Sequence, residues 1–382
     1  MSVARLDQIP GFSIDRVAAA AGEDPDVLRL ENLDTDIPPP AEAVEATRAA
    51  IGKDETNSWL PFTGRDDLKE SVARFIESRG GPSYDGQREI VITSGEGDAM
   101  LDALFCLTDP GDEVILTDPT YAGMINRVRL VGAEPRLVPL RVVEGEWRLD
   151  VAALPGTVSE RTRVVLINNA SFPTGWVASD DEWEAIASLC RERDLWLLYW
   201  AGFEGVLYDG RSVIHPAALP GMRDRTVTIG AASLELRMIA WRVGWVVCPG
   251  ELVNDVARIQ IYNGLVASGF AQVGVRVGLD LGDDQLLAAN AECQRRRDET
   301  LRQLEGLPTV RPAGAWSLLL DARELGLDPA DLSARLLTQK VAATPMTGWG
   351  GDVAARYLRF VFSNEPVERL ALLGERVRAA LA

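Results

Sequence analysis

The chain of 382 residues is long enough for two domains with large buried cores. Its 57 acidic residues outnumber its 39 basic residues, and the net charge of −18 argues against nucleic acid and anionic membrane as partners. The sequence begins without a basic-then-apolar signal pattern, and no apolar run reaches membrane-spanning length. We therefore expect a cytoplasmic protein.

Strand-like apolar runs alternate with amphipathic helical patterns over most of the chain. An apolar run over residues 89–93 leads through Ser94-Gly95-Glu96-Gly97 into a helical pattern that ends near residue 107. Further strands are predicted at 113–117, 163–168, 195–199, 226–230 and 244–247, with a helix over 181–193. Continuous apolar strands between helices indicate a mostly parallel sheet that is covered on both faces.

The last hundred residues have a different pattern. Helical segments from about residue 281 precede two apolar runs, at 316–320 and 357–362. The sequence therefore predicts an α/β protein, with a large three-layer domain over 45–279 and a smaller α+β domain made of 1–44 plus 280–382.

Residue types that bind metals are few and poorly spaced. The chain has one histidine, His215, and its four cysteines form no CxxC pair. We predict no metal site and expect buried free thiols. The cysteines are Cys106, Cys190, Cys248 and Cys293.

Several short motifs stand in an order that resembles one enzyme family. They are Asn57-Ser58-Trp59-Leu60-Pro61-Phe62-Thr63-Gly64, Ser94-Gly95-Glu96-Gly97, Pro110-Gly111-Asp112-Glu113-Val114, Asp118-Pro119-Thr120-Tyr121, Phe172-Pro173-Thr174-Gly175 and Gly314-Ala315-Trp316. Together with Arg359 they resemble the fold-type I aminotransferases of class I/II, which are aspartate aminotransferase-like and depend on pyridoxal phosphate (PLP). The resemblance covers about residues 28–380 and implies the aminotransferase fold type I.

Four positions that contact PLP in that family hold apolar residues in this chain. The resemblance places Phe172 at the Asn position and Trp200 at the position of the Asp that pairs with the pyridinium nitrogen. It places Phe203 at the Tyr position, and Leu234 where the family has the lysine that forms the Schiff base with PLP. The chain therefore resembles a divergent member that lacks this lysine.

The other lysines offer no replacement. The chain has only Lys53, Lys69 and Lys340, so no lysine lies between residues 69 and 340. From this pattern we predict that the PLP site is lost and that the protein has no cofactor.

Two arginines and a set of apolar side chains are predicted to bind substrate. The resemblance implies that Arg359 grips a carboxylate, and Arg242 stands where the family has its phosphate-binding arginine. The alternative for Arg359 is an internal salt bridge to a nearby acidic residue. Aromatic residues, including Trp176 and Trp349, should converge on the former cofactor cleft and either line a ligand pocket or simply fill the void. The predicted substrate-binding residues are Arg359, Arg242, Trp59, Phe172, Trp200, Phe203, Leu234 and Trp316.

Acid and base groups near this cleft would have to carry the chemistry. We predict catalytic roles for Glu96, Tyr121 and Glu204, with Asp98 as a further candidate. Glu96 is the first choice, because a partly buried carboxyl beside the phosphate turn would have a raised pKa. A carboxylate of Glu96 or Asp98 that faced Arg242 would instead fill the former phosphate site and repel phosphate. The alternative is a structural one, since acidic residues favour the amino-terminal end of a helix.

The function predicted from the sequence is a PLP-independent enzyme on an aminotransferase scaffold. It would act on a carboxylate-bearing, amino-acid-derived or aromatic substrate by cyclisation, isomerisation, dehydration, hydrolysis or condensation, in a biosynthetic pathway. The alternatives are a non-catalytic metabolite-binding protein and an aminotransferase-like protein that still binds PLP. The resemblance also implies a homodimer in which Trp59 reaches towards the partner's site.

Overall fold

A computed structural model of the chain describes residues 4–9, 11 and 13–382. Its strands are β1 (Leu28–Arg29), β2 (Ile90–Thr93), β3 (Glu113–Asp118), β4 (Glu134–Val143), β5 (Glu146–Leu149), β6 (Thr162–Asn168), β7 (Trp196–Trp200), β8 (Thr226–Ala231), β9 (Gly244–Val247), β10 (Thr309–Val310), β11 (Ser317–Asp321), β12 (Val341–Ala342), β13 (Thr344–Pro345) and β14 (Tyr357–Val361).

Helices stand between most of these strands. They are α1 (Ala4–Asp7), α2 (Ser13–Ala21), α3 (Ala41–Ala50), α4 (Asp54–Asn57), α5 (Asp66–Ser78), α6 (Gly86–Glu89), α7 (Glu96–Leu107), α8 (Ala122–Leu130), α9 (Asp180–Glu192), α10 (Gly250–Asn263), α11 (Gly269–Asp280), α12 (Asp284–Gln303), α13 (Pro329–Thr338), α14 (Val367–Leu370) and α15 (Leu373–Leu381). Short 3-10 helices lie at Val151–Thr157, Pro216–Ala218, Arg223–Arg225, Ile239–Trp241 and Ala354–Arg356.

The main sheet has eight strands in the order β2-β9-β8-β7-β6-β3-β4-β5. The central pairs, from β8 through β7, β6 and β3 to β4, are parallel, and antiparallel pairs close both edges. The central strands are buried along nearly their whole length, as expected for a sheet with helices on both faces. The predicted α/β fold class is confirmed.

A second sheet, antiparallel, gathers the carboxyl-terminal strands in the order β10-β11-β14-β13. The amino-terminal segment joins this part of the chain, since β1 pairs with β12 in a two-stranded parallel ribbon. These pairings agree with a small domain that combines both ends of the chain, and the exact boundaries 45–279 and 1–44 plus 280–382 stay a prediction.

Helix α9 shows how local sequence sets an element's start. Ser179 accepts a hydrogen bond from the Glu182 amide at 3.3 Å, and the Glu182 carboxylate accepts one from the Ser179 amide at 2.7 Å. This reciprocal capping box satisfies amides that the first helical turn leaves without partners. The helix then buries Trp183 and Ile186 against the sheet.

The described residues were compared with the requirements of a metal site and of a membrane-spanning helix. Among them, no group of three or more His, Cys, Asp or Glu side chains is placed to hold a metal ion. No helix in the described ranges is long and apolar enough to cross a membrane. The cysteines are free, and all but the partly exposed Cys106 are buried.

Candidate functional site

Four neighbouring parallel strands deliver four predicted site residues to one edge of the main sheet. Tyr121 follows the end of β3, Phe172 follows β6, Trp200 ends β7, and Leu234 follows β8. Ligands of open α/β sheets bind outside the carboxyl ends of such strands, so this edge is the candidate site. Asn168 ties two of the connections together, because its side chain accepts from the Phe172 amide at 2.6 Å and donates to the Trp200 carbonyl at 3.2 Å.

Aromatic rings form a continuous cluster at this edge. Tyr121 lies at the centre, with ring-centroid distances of 5.5 Å to Trp349, 5.8 Å to Phe172 and 5.8 Å to Trp200. Phe172 also contacts Trp349 at 5.6 Å and Phe203 at 6.3 Å. These separations lie in the range of favourable aromatic pairs, so the cluster is packed rather than loosely gathered.

Arg359, on β14, lies fully buried beside this cluster. Its guanidinium carbon lies 4.5 Å from the Trp349 ring centroid and 4.8 Å from that of Phe172. Nη2 donates to the Glu31 carbonyl and, at 3.2 Å, to the Thr344 hydroxyl. Nε and Nη1 have no hydrogen-bond partner among the described residues. Burial lowers the pKa of Arg359 to about 9, and the nearby Tyr121 and Glu31 oppose this shift only in part.

The turn before α7 forms an anion-binding corner with Arg242. Gly95 has φ +93°, and a Cβ on it would lie 2.4 Å from Nη2 of Arg242, so only glycine permits this close approach. Nη1 of Arg242 donates to the Ser233 hydroxyl at 3.3 Å and to the Ile239 carbonyl at 3.1 Å. A helix amino terminus, a hydroxyl and an exposed guanidinium together suit a phosphate.

Glu96, the first residue of α7, faces the end of β7. Its Oε2 accepts a hydrogen bond from Nε1 of Trp200 at 3.1 Å. Burial raises the pKa of Glu96, opposed by the Trp200 hydrogen bond and the charges of Arg242 and Arg127. The carboxyl therefore keeps its proton to a higher pH than an exposed glutamate does.

Two cavities open at this edge and share Glu96, Tyr121 and Arg242. One, of about 270 Å³, is also lined by Phe172, Ser233, Leu234 and Ile239, and by Ile14, Asp15, Asn32 and Leu33 from the amino-terminal segment. The other, of about 200 Å³, is also lined by Gly97, Met100, Arg127 and Trp200. No lysine lines either cavity.

Sequence reasoning missed two contributors to these cavities. Arg127 on α8 donates through Nε to the Gly97 carbonyl at 2.9 Å, which holds it against the start of α7. The amino-terminal residues Asn32 and Leu33 close the larger cavity from the other side. No local pattern in the sequence indicates the first of these, since residues six apart do not share a helix face.

The remaining residues that the sequence predicts for the site lie outside the two cavities. Phe203 and Trp316 pack edge to face at 5.1 Å behind Phe172, away from the cavity linings. Trp59 lies elsewhere, 78% exposed, with its ring 6.4 Å from Phe62. Trp176 is buried and donates to Glu182 at 3.3 Å, so its role is in packing α9.

Glu204 lies in a separate buried network below the cleft. Its Oε1 accepts from the Tyr199 hydroxyl at 2.8 Å and lies 4.0 Å from Nε2 of His215. Both ring nitrogens of His215 lack a hydrogen-bond partner among the described residues, and burial lowers its pKa to about 4. Glu204 lines neither cavity, so its predicted catalytic role has no geometric support.

The network predicts a dependence of stability on pH. Burial raises the pKa of Glu204 from 4.5 to about 7, against the opposing charge of Arg79. A carboxyl with a raised folded-state pKa stabilises below its unfolded pKa and loses that contribution as pH rises through the folded pKa. In the native chain, the free energy of unfolding should therefore fall by up to roughly 3 kcal/mol between about pH 4.5 and 7. We expect Glu204→Gln to lack this fall. Urea unfolding of both proteins across this range measures it, and equal pH slopes would contradict it.

Comparisons with known proteins extend over nearly the whole chain. The family model for aminotransferase class I and II matches residues 26–373. Arginine–pyruvate transaminase AruH of Pseudomonas aeruginosa is 30% identical over 357 residues, covering 92% of this chain and 90% of that protein. The structure of N-succinyldiaminopimelate aminotransferase from Mycobacterium tuberculosis has a TM-score of 0.92 at 29% identity, covering 100% of both chains. The aspartate aminotransferase from Thermus thermophilus with maleate has a TM-score of 0.92 at 26% identity, again covering 100% of both chains.

These relatives correct two predictions from the sequence. A PLP-independent enzyme and an absent cofactor were both predicted, and both predictions are wrong, because the family and the named relatives are aminotransferases, for which PLP is the expected cofactor. The prediction relied on the apolar side chains at Phe172, Trp200, Phe203 and Leu234. It gave too little importance to Arg242 and Arg359, which suit a phosphate and a carboxylate.

The cleft fits PLP at the phosphate end better than at the aldehyde end. Gly95, Ser233 and Arg242 form a corner of the kind that a phosphate needs. The wall at Leu234 is buried and apolar and offers no amine for a covalent bond. The residues present therefore fit a cofactor held by its phosphate and its ring faces, and they do not fit one tethered to a lysine.

Proposed function

We propose, from the premise that this chain belongs to the class I and II aminotransferase family, that its cleft binds PLP without a covalent bond, together with a carboxylate-bearing amino or keto acid. The observation that carries the proposal is the exposed Arg242 guanidinium, which packs on Gly95 where α7 begins. The proposal also makes the chain a divergent member of its family, in which Leu234 stands where others have the lysine.

The phosphate would be held by fixed groups. The amides at the start of α7 point outwards from the helix, and the partial positive charge of a helix amino terminus favours an anion there. Ser233 positions Arg242 by accepting its hydrogen bond, so the guanidinium is ordered before the ligand arrives. A phosphate placed here gains charge-assisted hydrogen bonds with little loss of side-chain freedom.

The carboxylate would be held by Arg359. Nη1 has no hydrogen-bond partner among the described residues, so it can donate a charge-assisted hydrogen bond to a carboxylate. Arg359 is fully buried under the rings of Phe172 and Trp349 and lines neither cavity, so a carboxylate reaches it only when these rings move aside. The Thermus thermophilus structure contains maleate, a dicarboxylate, which supports a carboxylate as the ligand group.

When bound, PLP supplies a ring that can accept electrons from a substrate carbon. The chain's own groups bind and orient: Tyr121 offers a ring face, and Leu234 and Phe172 exclude water from the larger cavity. Because no lysine lines either cavity, the chain itself supplies no amine to hold the aldehyde. Binding, rather than a particular reaction, is the function that these residues support.

A homodimer and a cytoplasmic location complete the proposal. Trp59 is 78% exposed beside a groove of about 610 Å³, which is lined by residues 56–60 and 266–270. Tyr262, near the end of α10, is 88% exposed. Large exposed rings beside a groove are typical of a surface that a second copy covers. Light scattering of the native chain and of Trp59→Ser would test this assembly.

Equilibrium dialysis with PLP tests the binding proposal. We expect the native chain to bind PLP and Arg242→Gln to bind it at least about tenfold more weakly, since a charge-assisted contact to phosphate is lost. Arg258→Gln is the matched control, because Arg258 is an exposed arginine on α10 whose ion-pair partner among the described residues is Asp255. After treatment with borohydride, the native chain should show no stoichiometric gain in mass.

Two results would contradict the proposal. One is an affinity for PLP that is the same in the Arg242→Gln and Arg258→Gln variants. The other is a native chain that takes up no PLP at millimolar concentration while its fold, judged by circular dichroism, is intact.

A further inference from the structure

Three residues are shared by both cavities of the cleft, Glu96, Tyr121 and Arg242, and Glu96 is the carboxylate among them, while Asp15 lines the larger cavity alone. Its neighbours in sequence are each contacted by a guanidinium group: Gly95 lies against Arg242, and Gly97 lies against Arg127. The glutamate side chain thus projects between two arginines, from the first turn of α7. Any ligand that enters either cavity meets this side chain.

One oxygen of Glu96 is fixed and the other is available. Oε2 accepts the hydrogen bond of the Trp200 indole at 3.1 Å, and it lies 3.1 Å from where a Cβ on Gly202 would stand. No described residue donates to Oε1 in the hydrogen-bond pattern around α7. The indole therefore orients the carboxylate, and it leaves one acceptor for a donor on the ligand.

We propose that Glu96 selects ligands with a protonated ring nitrogen, and that it binds the pyridine nitrogen of the phosphorylated ring whose phosphate lies at Arg242. This inference rests on the proposed function, which it deepens. In PLP sites a protein side chain, often a carboxylate, pairs with the ring nitrogen, and Trp200 cannot accept a hydrogen bond from such a nitrogen. Glu96 supplies the missing acceptor from a different strand–helix connection, and Trp200 becomes the positioning residue for it.

The electrostatics of the cleft agree with this role. Glu96 faces the charges of Arg242 and Arg127 and the hydroxyphenyl ring of Tyr121, and no other titratable side chain lines the cavity of about 200 Å³. A bound phosphate neutralises one arginine, which leaves Glu96 to pair with a cationic ring nitrogen. A ligand with both groups, a phosphate and a protonated nitrogen, satisfies the cleft better than either alone.

The test compares two phosphorylated rings that cannot react covalently. Deoxypyridoxine phosphate has the pyridine nitrogen without the aldehyde, and its carbocyclic counterpart has a C–H group in place of the nitrogen. We expect the native chain to prefer the pyridine by at least about tenfold, as for a charge-assisted hydrogen bond, and Glu96→Gln to lose most of this preference. Glu251→Gln, which changes an exposed glutamate in the first turn of α10, should keep it.

A spectroscopic measurement supports the affinities. The absorbance of the bound pyridine should report protonation of its nitrogen to a higher pH in the native chain than in Glu96→Gln. Trp200→Phe, which removes the orienting indole N–H, should lower the preference partly and provides a second variant if Glu96→Gln fails to fold.

The outcomes separate the two proposals. If the native chain binds both rings equally, or if Glu96→Gln and Trp200→Phe keep the full preference, the role of Glu96 is overturned while phosphate binding stands. If the native chain binds neither ring, the proposed function fails and this inference fails with it.

Discussion

Replacing Arg359 by methionine should weaken carboxylate binding strongly. A charge-assisted hydrogen bond from a guanidinium to a carboxylate contributes about 1.5 to 3 kcal/mol, so its loss corresponds to roughly 10- to 100-fold in affinity. Methionine fills similar space between Phe172 and Trp349 and offers no donor. Maleate is a suitable probe, since the Thermus thermophilus relative contains it. Calorimetric titration in saturating PLP measures the effect.

The control for this variant is Arg356→Met, close by in sequence. Arg356 lies just before β14 and pairs with Asp321, and its side chain is 45% exposed. It should leave maleate affinity within about twofold of the native value, because surface ion pairs contribute little. Equal losses in both variants would show that maleate binds elsewhere or that the small sheet has been disturbed.

Installing an amine by Leu234→Lys should convert non-covalent into covalent PLP binding. Leu234 is 3% exposed and forms part of the wall of the larger cavity, directly after the Ser233 that holds Arg242. Burial lowers the pKa of a lysine, so the new amine would be partly neutral and nucleophilic near neutral pH. After PLP and borohydride, we expect the intact mass to show one added cofactor per chain, against little or none in the native protein.

The background in this experiment is low, since the native chain has only three lysines. Leu236→Lys is the matched control, because Leu236 is also buried, two residues further on, yet lines neither cavity. Labelling of Leu236→Lys to the same extent as Leu234→Lys would contradict the assignment. A buried lysine costs stability, so both variants should first be compared by circular dichroism.

The fold could be predicted from the sequence because its determinants are local and ordered along the chain. Helix α9 was predicted over 181–193 from its amphipathic pattern and spans Asp180–Glu192, where the structure shows a capping box of Ser179 and Glu182 at its start. The buried central strands were predicted from their continuous apolar runs. The order of the strands in the sheet depends on the right-handed crossovers that join parallel strands, and no single residue determines it.

The site was only partly predictable, because its decisive contacts join distant residues. The hydrogen bond between Trp200 and Glu96 joins positions 104 apart, and no sequence pattern announces it. The sequence suggested that Trp59 would join the other aromatic residues, yet in the chain described here its ring lies outside the cluster. Glu204 was a reasonable acid by position, but it points to Tyr199.

The cofactor was misjudged for a related physical reason. Each apolar residue predicted at a PLP-contacting position would, taken alone, remove a PLP contact, and their sum suggested a lost site. A comparison made one position at a time cannot detect that another element supplies the missing group, as we propose for Glu96. It also gives no weight to the groups at Arg242 and Arg359 that continue to suit a phosphate and a carboxylate.

A crystal structure of the native chain grown with PLP tests the central claim most directly. We predict electron density for the phosphate between Gly95 and Arg242, for the ring beside Tyr121, and none joining the ring to a lysine. Density absent from the cleft, with Arg242 and the aromatic cluster arranged as described here, would contradict the account, as would PLP attached to Lys53, Lys69 or Lys340.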